Sequence, residues 1–363
     1  MRKNISGAFL LLAVAVSCLV AVSCNERGVP AFEDSEQHRS VYYWKTIFSI
    51  SPEDSLFLSG HGIDRIYLRM FDVDVHYNES ADSLAAIPIA TVKFNSARPD
   101  SIEIVPTVFI TLDALKKHEH NEDVLAGLIV KRVLNMCSYN DLGPVREVQF
   151  DCDWTESTKL MYDELCASAM KILHGKGIAL SGTIRLHQIE QAQYPFDRGV
   201  LMLYNTGAIK NPGTSNSIIA YADVKKYLGV KARVEKFNKA RKNNCPVIDF
   251  AYPTFCWGVA FDSRGEFDGI IPTMDFENIP QLKKIKEDTY RVTEYVNLSH
   301  GSTFFSLYQD GTVRAEYSDF KEIMKVKELV GSTLGTSGSN IIYHLDSRNL
   351  SRYESNEIEK ILR

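Results

Sequence analysis

Between Val145 and Thr158 the chain reads VREVQFDCDWTEST, and this stretch constrains the fold more than any other. Side chains alternate across a strand with period two. Val148, Phe150, Cys152 and Trp154 therefore share one face, and Gln149, Asp151 and Asp153 share the other. The first face suits a hydrophobic layer; the second carries two carboxylates. A segment from about Glu156 to His174 follows at once, with Leu160, Met161, Leu165, Met170 and Leu173 at helical spacing. An acidic strand end that feeds straight into a helix fits the mouth of a β/α barrel, where strand C-termini carry the chemistry.

The rest of the chain can be read against that expectation. Strand-like runs occur at Ser40–Phe48, Ile63–Val75, Ser101–Thr111, Ile178–Gln188, Arg198–Gly207, Pro246–Tyr252 and Asn340–Asp346. Helical periodicity lies between many of them, as in Glu122–Tyr139, Val224–Asn238 and Lys321–Leu329, and Glu354–Leu362 follows the last as a closing helix. About eight strands alternating with helices indicate an α/β chain, a (β/α)8 TIM-type barrel with inserted hairpins. Insertions are expected near Ile89–Phe94, at Phe255–Ile271 and within Arg291–Val313, which turns at Asp310-Gly311. A doubly wound open sheet is the competing architecture. No GxGxxG or Walker-type loop stands where such a sheet would hold phosphates, which lowers it. The picture requires Asp151 and Asp153 to face the barrel interior, at the mouth.

The N-terminus carries a different signal. Arg2 and Lys3 precede the apolar run Ala8–Val22, which ends in small residues before Cys24. A positive n-region followed by a short apolar core reads as a secretory signal, and the run is short for a membrane span. Ala21-Val22-Ser23-Cys24 resembles a bacterial lipobox, which implies cleavage before Cys24 and lipidation of that cysteine. The same four residue types recur at Ala15–Cys18, but polar chain begins only after Cys24. The expected organisation is a signal peptide over residues 1–23, a tether over 24–38 and a glycoside-hydrolase-like barrel over 39–363. The expected location is the bacterial cell envelope, on the outer membrane, held through the lipid and facing the periplasm or the surface.

Net charge is −5, and no basic run interleaved with aromatics appears, so nucleic-acid binding has little support and no nucleic-acid partner is expected. Of seven cysteines, Cys137, Cys152, Cys166, Cys245 and Cys256 remain beyond the signal and the lipidated position. Their number is odd and none forms a CxxC pair, so neither a disulfide framework nor a zinc site is indicated. His118 and His120 in KKHEHNED read as a solvated loop, because no third metal ligand has an obvious source. No cofactor is expected.

Three segments together resemble, at distant range, the chitinase-type barrels of glycoside hydrolase family 18. Phe150-Asp151-Cys152-Asp153-Trp154 is similar to that family's strand-four motif of alternating Asp residues. Met202-Leu203-Tyr204-Asn205 is similar to its strand-six Met-x-Tyr-Asp, and Tyr343-His344-Leu345-Asp346 stands where it often has Trp and a nearby Asp. The stretch Val148–Gln188, with Arg185-Leu186-His187-Gln188, resembles more closely an uncharacterised bacterial barrel family. The resemblance implies a glycan partner and glycan hydrolysis, with Asp153 as acid and Asp151 as its modulator. Close carboxylates push their pKa values apart. Tyr204 and Asn205 would orient the sugar.

The departures are specific. The family's acid is a Glu two residues after the second Asp, and here that position is Thr155; Glu156 lies one residue later and points the other way on a continuing strand. Val148 replaces the leading Asp, and Asn205 the strand-six Asp. These replacements keep a second reading open: a non-catalytic glycan-binding or structural lipoprotein with a degenerate site.

The remaining candidate ligand contacts sit near strand ends or carry rings that can stack on sugar faces: Trp44, Arg69, Arg185, His187, Asp249, Tyr252, Trp257, Tyr343 and Asp346. Arg69 and Arg185 could equally balance the two Asp residues, and Trp154, on the apolar face, reads as core.

Overall fold

Eight parallel strands close on themselves. They are Ser40–Tyr43, Arg65–Asn78, Glu103–Ile110, Glu147–Asp151, Ala179–Arg185, Arg198–Met202, Val247–Pro253 and Asn340–Tyr343, numbered below as barrel strands one to eight. Each pairs with the next, and strand one pairs with both strand two and strand eight, which shuts the ring. The expected TIM-type barrel is therefore the fold. The computed structural model describes residues 37–363 apart from 79–81, 191–193, 245–246, 273, 301–302 and 336–337. Cys24 and Cys245 lie outside the described residues. No helix among them is long and apolar enough to cross a membrane.

Alternation along each strand sorts side chains between the barrel interior and the helical jacket. The interior is polar in layers. At the strand starts, Arg65 pairs with Glu103 at 2.8 Å and with Glu147 at 3.4 Å, while Arg198 forks onto Asp249 at 2.6 and 2.9 Å. Above them the Tyr42 hydroxyl donates to Gln149 at 2.8 Å, and the Tyr42 and Tyr67 rings stack at 4.9 Å. Gln149 and Asp151 face inward, while Phe150, Cys152 and Trp154 are buried on the other side, where Trp154 stacks on Tyr162 of helix Lys159–His174.

Among the described residues, two connections carry no α-helix. After strand two the chain folds back as an antiparallel arm, Ser83–Ile89, paired with Asp72–Asn78. The expected arm at Ile89–Phe94 thus lies earlier in the chain, and Lys93–Phe94 instead pairs with Ile47–Phe48. The arm reads SLAAIPI, with small residues and a proline that only an edge strand tolerates, so its strand signal is weak. After strand five comes only the 3₁₀ turn Leu186–Glu190. That strand ends at Arg185 rather than Gln188, because the Gln188 side chain accepts the Arg185 N–H at 2.8 Å and ends the ladder there.

Between strands seven and eight lies a five-stranded antiparallel sheet: Cys256–Phe261, Phe267–Pro272, Leu282–Lys286, Thr289–Val292 and Thr312–Tyr317. A hairpin, Val296–His300 with Thr303–Leu307, packs on it, and Leu282, Tyr290, Val292, Leu298 and Val313 give the insert its own core. The two β-rich insertions expected from the sequence are thus joined: Phe255–Ile271 and both ends of Arg291–Val313 fall in this sheet, and the middle of the latter forms the hairpin.

Candidate functional site

Strand four ends at the barrel mouth with Asp151 facing inward, and Asp153, two residues beyond the strand, stays on the same side. Arg185, at the end of strand five, binds both: its Nη2 donates to Asp151 Oδ1 at 3.1 Å and its Nε to Asp153 Oδ1 at 2.5 Å. Thr183 adds a hydrogen bond to Asp151 at 2.6 Å. Asp151 is buried, whereas the Asp153 side chain is 54% exposed. Burial pushes the Asp151 carboxyl above the usual range; Arg185 pulls it back and Asp153 adds to the rise.

Gln188, which was not among the expected ligand contacts, braces this corner. Its amide nitrogen donates to the Trp154 carbonyl at 2.9 Å and lies 3.4 Å from that of Cys152, so the 3₁₀ turn after strand five is tied to the end of strand four. The same turn carries His187 off the strand to an exposed position, where it still faces the mouth.

Across the mouth runs a row of five rings. Trp44 meets Tyr343 at 6.0 Å, Tyr343 stacks on Tyr204 at 4.5 Å, Tyr204 meets Phe255 edge-on at 5.9 Å, and Phe255 meets Trp257 at 5.0 Å. Asn205 follows Tyr204 in the left-handed region at φ 53°, which Asn tolerates better than most residues, and turns the chain at the rim. Trp257 comes from the inserted sheet, and its indole N–H donates to buried Glu316 at 2.9 Å. Arg69 lies over the Trp44 ring at 5.6 Å and forks onto Asp72 rather than onto Asp151 or Asp153.

Two cavities adjoin along this row and share Tyr204 and Asn205. One, of about 320 Å³, is lined by Asp153, Arg185, His187 and Tyr227; the other, of about 380 Å³, by Phe255, Trp257, Tyr343, His344, Asp346 and Arg348. Lys45 pairs with Asp346 at 3.0 Å. Burial opposes the charge on Asp346, but the hydrogen bond and charge of Lys45 outweigh it and hold the carboxyl below its ordinary value. Burial pushes the His344 imidazole down to about 4, so it is neutral at neutral pH.

The mouth therefore gathers Asp151, Asp153, Trp44, Arg69, Arg185, His187, Tyr204, Asn205, Trp257, Tyr343 and Asp346. Two expected contacts lie elsewhere. Asp249 is sealed at the N-terminal end of the barrel, held by Arg198 and by the Ser339 N–H at 2.6 Å, because it stands early on strand seven. Tyr252 is buried on the outer face of the same strand, one residue out of phase with the interior, with Lys327 of helix Phe320–Leu334 6.0 Å from its ring. Phe255, His344 and Gln188 belong to the mouth and carried no strong signal. His344 follows the last strand residue, where alternation no longer predicts direction. No group of three or more His, Cys, Asp or Glu side chains suited to a metal occurs among the described residues.

No family model matches the chain, and no curated protein matches it. Solved structures do. The chain is similar to a chitinase-like agglutinin from Robinia pseudoacacia, at 10% identity over 89% of this chain and 98% of that one, with a TM-score of 0.50. It is also similar to the spore cortex-lytic enzyme SleL from Bacillus cereus, at 13% identity over 90% and 75%, with a TM-score of 0.46. A chitinase from Chromobacterium violaceum matches at 10% identity over 90% and 98%, with a TM-score of 0.45. At these identities the likeness is one of fold alone, a closed β/α barrel.

Proposed function

We propose that the chain binds a glycan across the barrel mouth and holds it without cleaving it. One observation carries this reading: Arg185 engages both Asp151 and Asp153, while Tyr204, Tyr343, Phe255 and Trp257 line the larger of two adjoining cavities and Tyr204 the smaller as well. Glycosidic cleavage calls for a proton donor at the leaving oxygen. Asp153 is tied to a guanidinium, and Thr155 stands where the chitinase-type pattern has its acid. Sugar rings present apolar faces that stack on aromatic side chains, and the hydroxyls find Asn205, His344 and the rim polar groups. The agglutinin of this fold is a precedent for a barrel named for binding.

Hydrolysis is the second reading, favoured by the raised Asp151 carboxyl beside Asp153. A glycan array probed with the soluble domain, together with turnover of chromogenic N-acetylglucosaminides, separates the two. Binding without turnover, weakened about tenfold in Tyr204→Ala by the lost stacking, is the expected result. Turnover that disappears in Asp153→Asn would replace it with the second reading, and silence on the array would sink both.

The same proposal sets the protein in the cell envelope through a lipid on Cys24, which rests on the signal-like run Ala8–Val22 and the lipobox-like Ala21–Cys24. Labelled palmitate should enter the wild-type chain and not Cys24→Ala, and the variant should leave the membrane fraction. Equal labelling of both would move the anchor elsewhere.

A further inference from the structure

The barrel's jacket has a gap after strand two, where the antiparallel arm replaces a helix. In that gap, between the arm and helix Glu122–Tyr139, lies a groove of about 650 Å³ with a floor that includes Phe71, Val73, Leu125 and Ile129. The helix is apolar on two sides. Leu125, Ile129, Val133 and Cys137 are buried against the barrel, yet Val124 is 52%, Leu128 57% and Tyr139 90% exposed. A surface helix ordinarily turns polar side chains outward, and a contiguous apolar patch marks a contact site.

We propose that this groove seats an amphipathic helix of a partner protein, with acidic residues flanking its apolar stripe. The groove has the shape for a helix. The groove lies where the barrel's own missing helix would pack, along a helix of 18 residues, about 27 Å long. The groove's charge is positive. Lys131 and Arg132 are the charged side chains among the groove's described lining residues. Arg132 donates to Thr91 at 3.2 Å and lies 5.1 Å from the Phe71 ring, neither of which cancels its charge. These cations sit midway along the helix. A second copy docking the same face about a two-fold axis would set them against their own symmetry mates, a like-charge opposition. An added strand is disfavoured at the arm's edge, where Pro88 has no N–H to donate.

The test is to pan a display library of 18-residue helical peptides on the full chain. Enriched peptides should carry apolar residues at i, i+3, i+4 and i+7 with Asp or Glu beside them. Their affinity should fall at least tenfold in Leu128→Asp, and Lys131→Glu should shift preference to basic-flanked peptides. Leu128 is exposed, so Leu128→Asp should melt like the parent. No enrichment, peptides that ignore Leu128→Asp, or a preference for basic flanks in the parent chain would overturn the proposal. So would self-association of the chain, or capture by anionic phosphatidylglycerol vesicles, that Leu128→Asp abolishes.

Discussion

Arg185 shares one guanidinium between a buried carboxylate and an exposed one, and the sharing fixes the character of the mouth. Asp151 cannot leave its partner without stranding a charge in the interior. Asp153 stays near Arg185 while half in water. Beside the ring row, the buried His344 links stability to pH. Its imidazole is pushed from 6.5 down to about 4 by burial. The unfolded chain therefore binds the proton more readily between those values, so stability rises with pH there and is lost as pH falls from 6.5 through 4. Denaturant unfolding at a series of pH values should show this slope in the parent and a shallower one in His344→Gln; an unchanged slope would remove His344 from the account. The carboxylates were legible in the sequence because period-two alternation states which side chains share a face. The guanidinium between them was legible only as an alternative, since spacing along two strands does not say which cation closes on which acid.

At the scale of elements, the junction before strand eight shows how closely the barrel is fitted. The Ser339 N–H donates to Asp249 at 2.6 Å, and its carbonyl accepts the Phe250 N–H at 2.9 Å. A Cβ on Gly338 would stand 1.8 Å from the Ile248 carbonyl oxygen, and backbone there cannot yield cheaply. Gly338→Ala should cost at least about 3 kcal/mol by forced backbone displacement, read from chemical denaturation; a loss under 1 kcal/mol, by the same scale, would mean the junction is looser than described. Asp249 is part of this joint, which is why a residue that looked like a strand-end ligand serves the closure of the ring. Helix Glu122–Tyr139 and the strand-four segment were readable because their periodicity is strong over many residues. The arm Ser83–Ile89 was not, because small residues and proline leave little pattern, and the break after Arg185 was not, because one glutamine side chain ends the ladder.

For the molecule as a whole, alternating strands and helices were enough to imply a closed barrel, but not which stations of its jacket would be empty. The sequence pattern also could not join Phe255–Ile271 to Arg291–Val313, since antiparallel pairing across some fifty residues leaves no local trace. That pairing gives Glu316 its place. One oxygen of this buried carboxylate accepts the Ser217 N–H at 2.9 Å, the Ser217 hydroxyl at 2.5 Å and the Trp257 indole at 2.9 Å, while the other takes Arg314 at 2.6 Å. The loop beyond strand six, the wall of the larger cavity and the inserted sheet thus meet at a single side chain. A group resting on the Trp257 indole would bear on a knot that three distant stretches of chain hold in common.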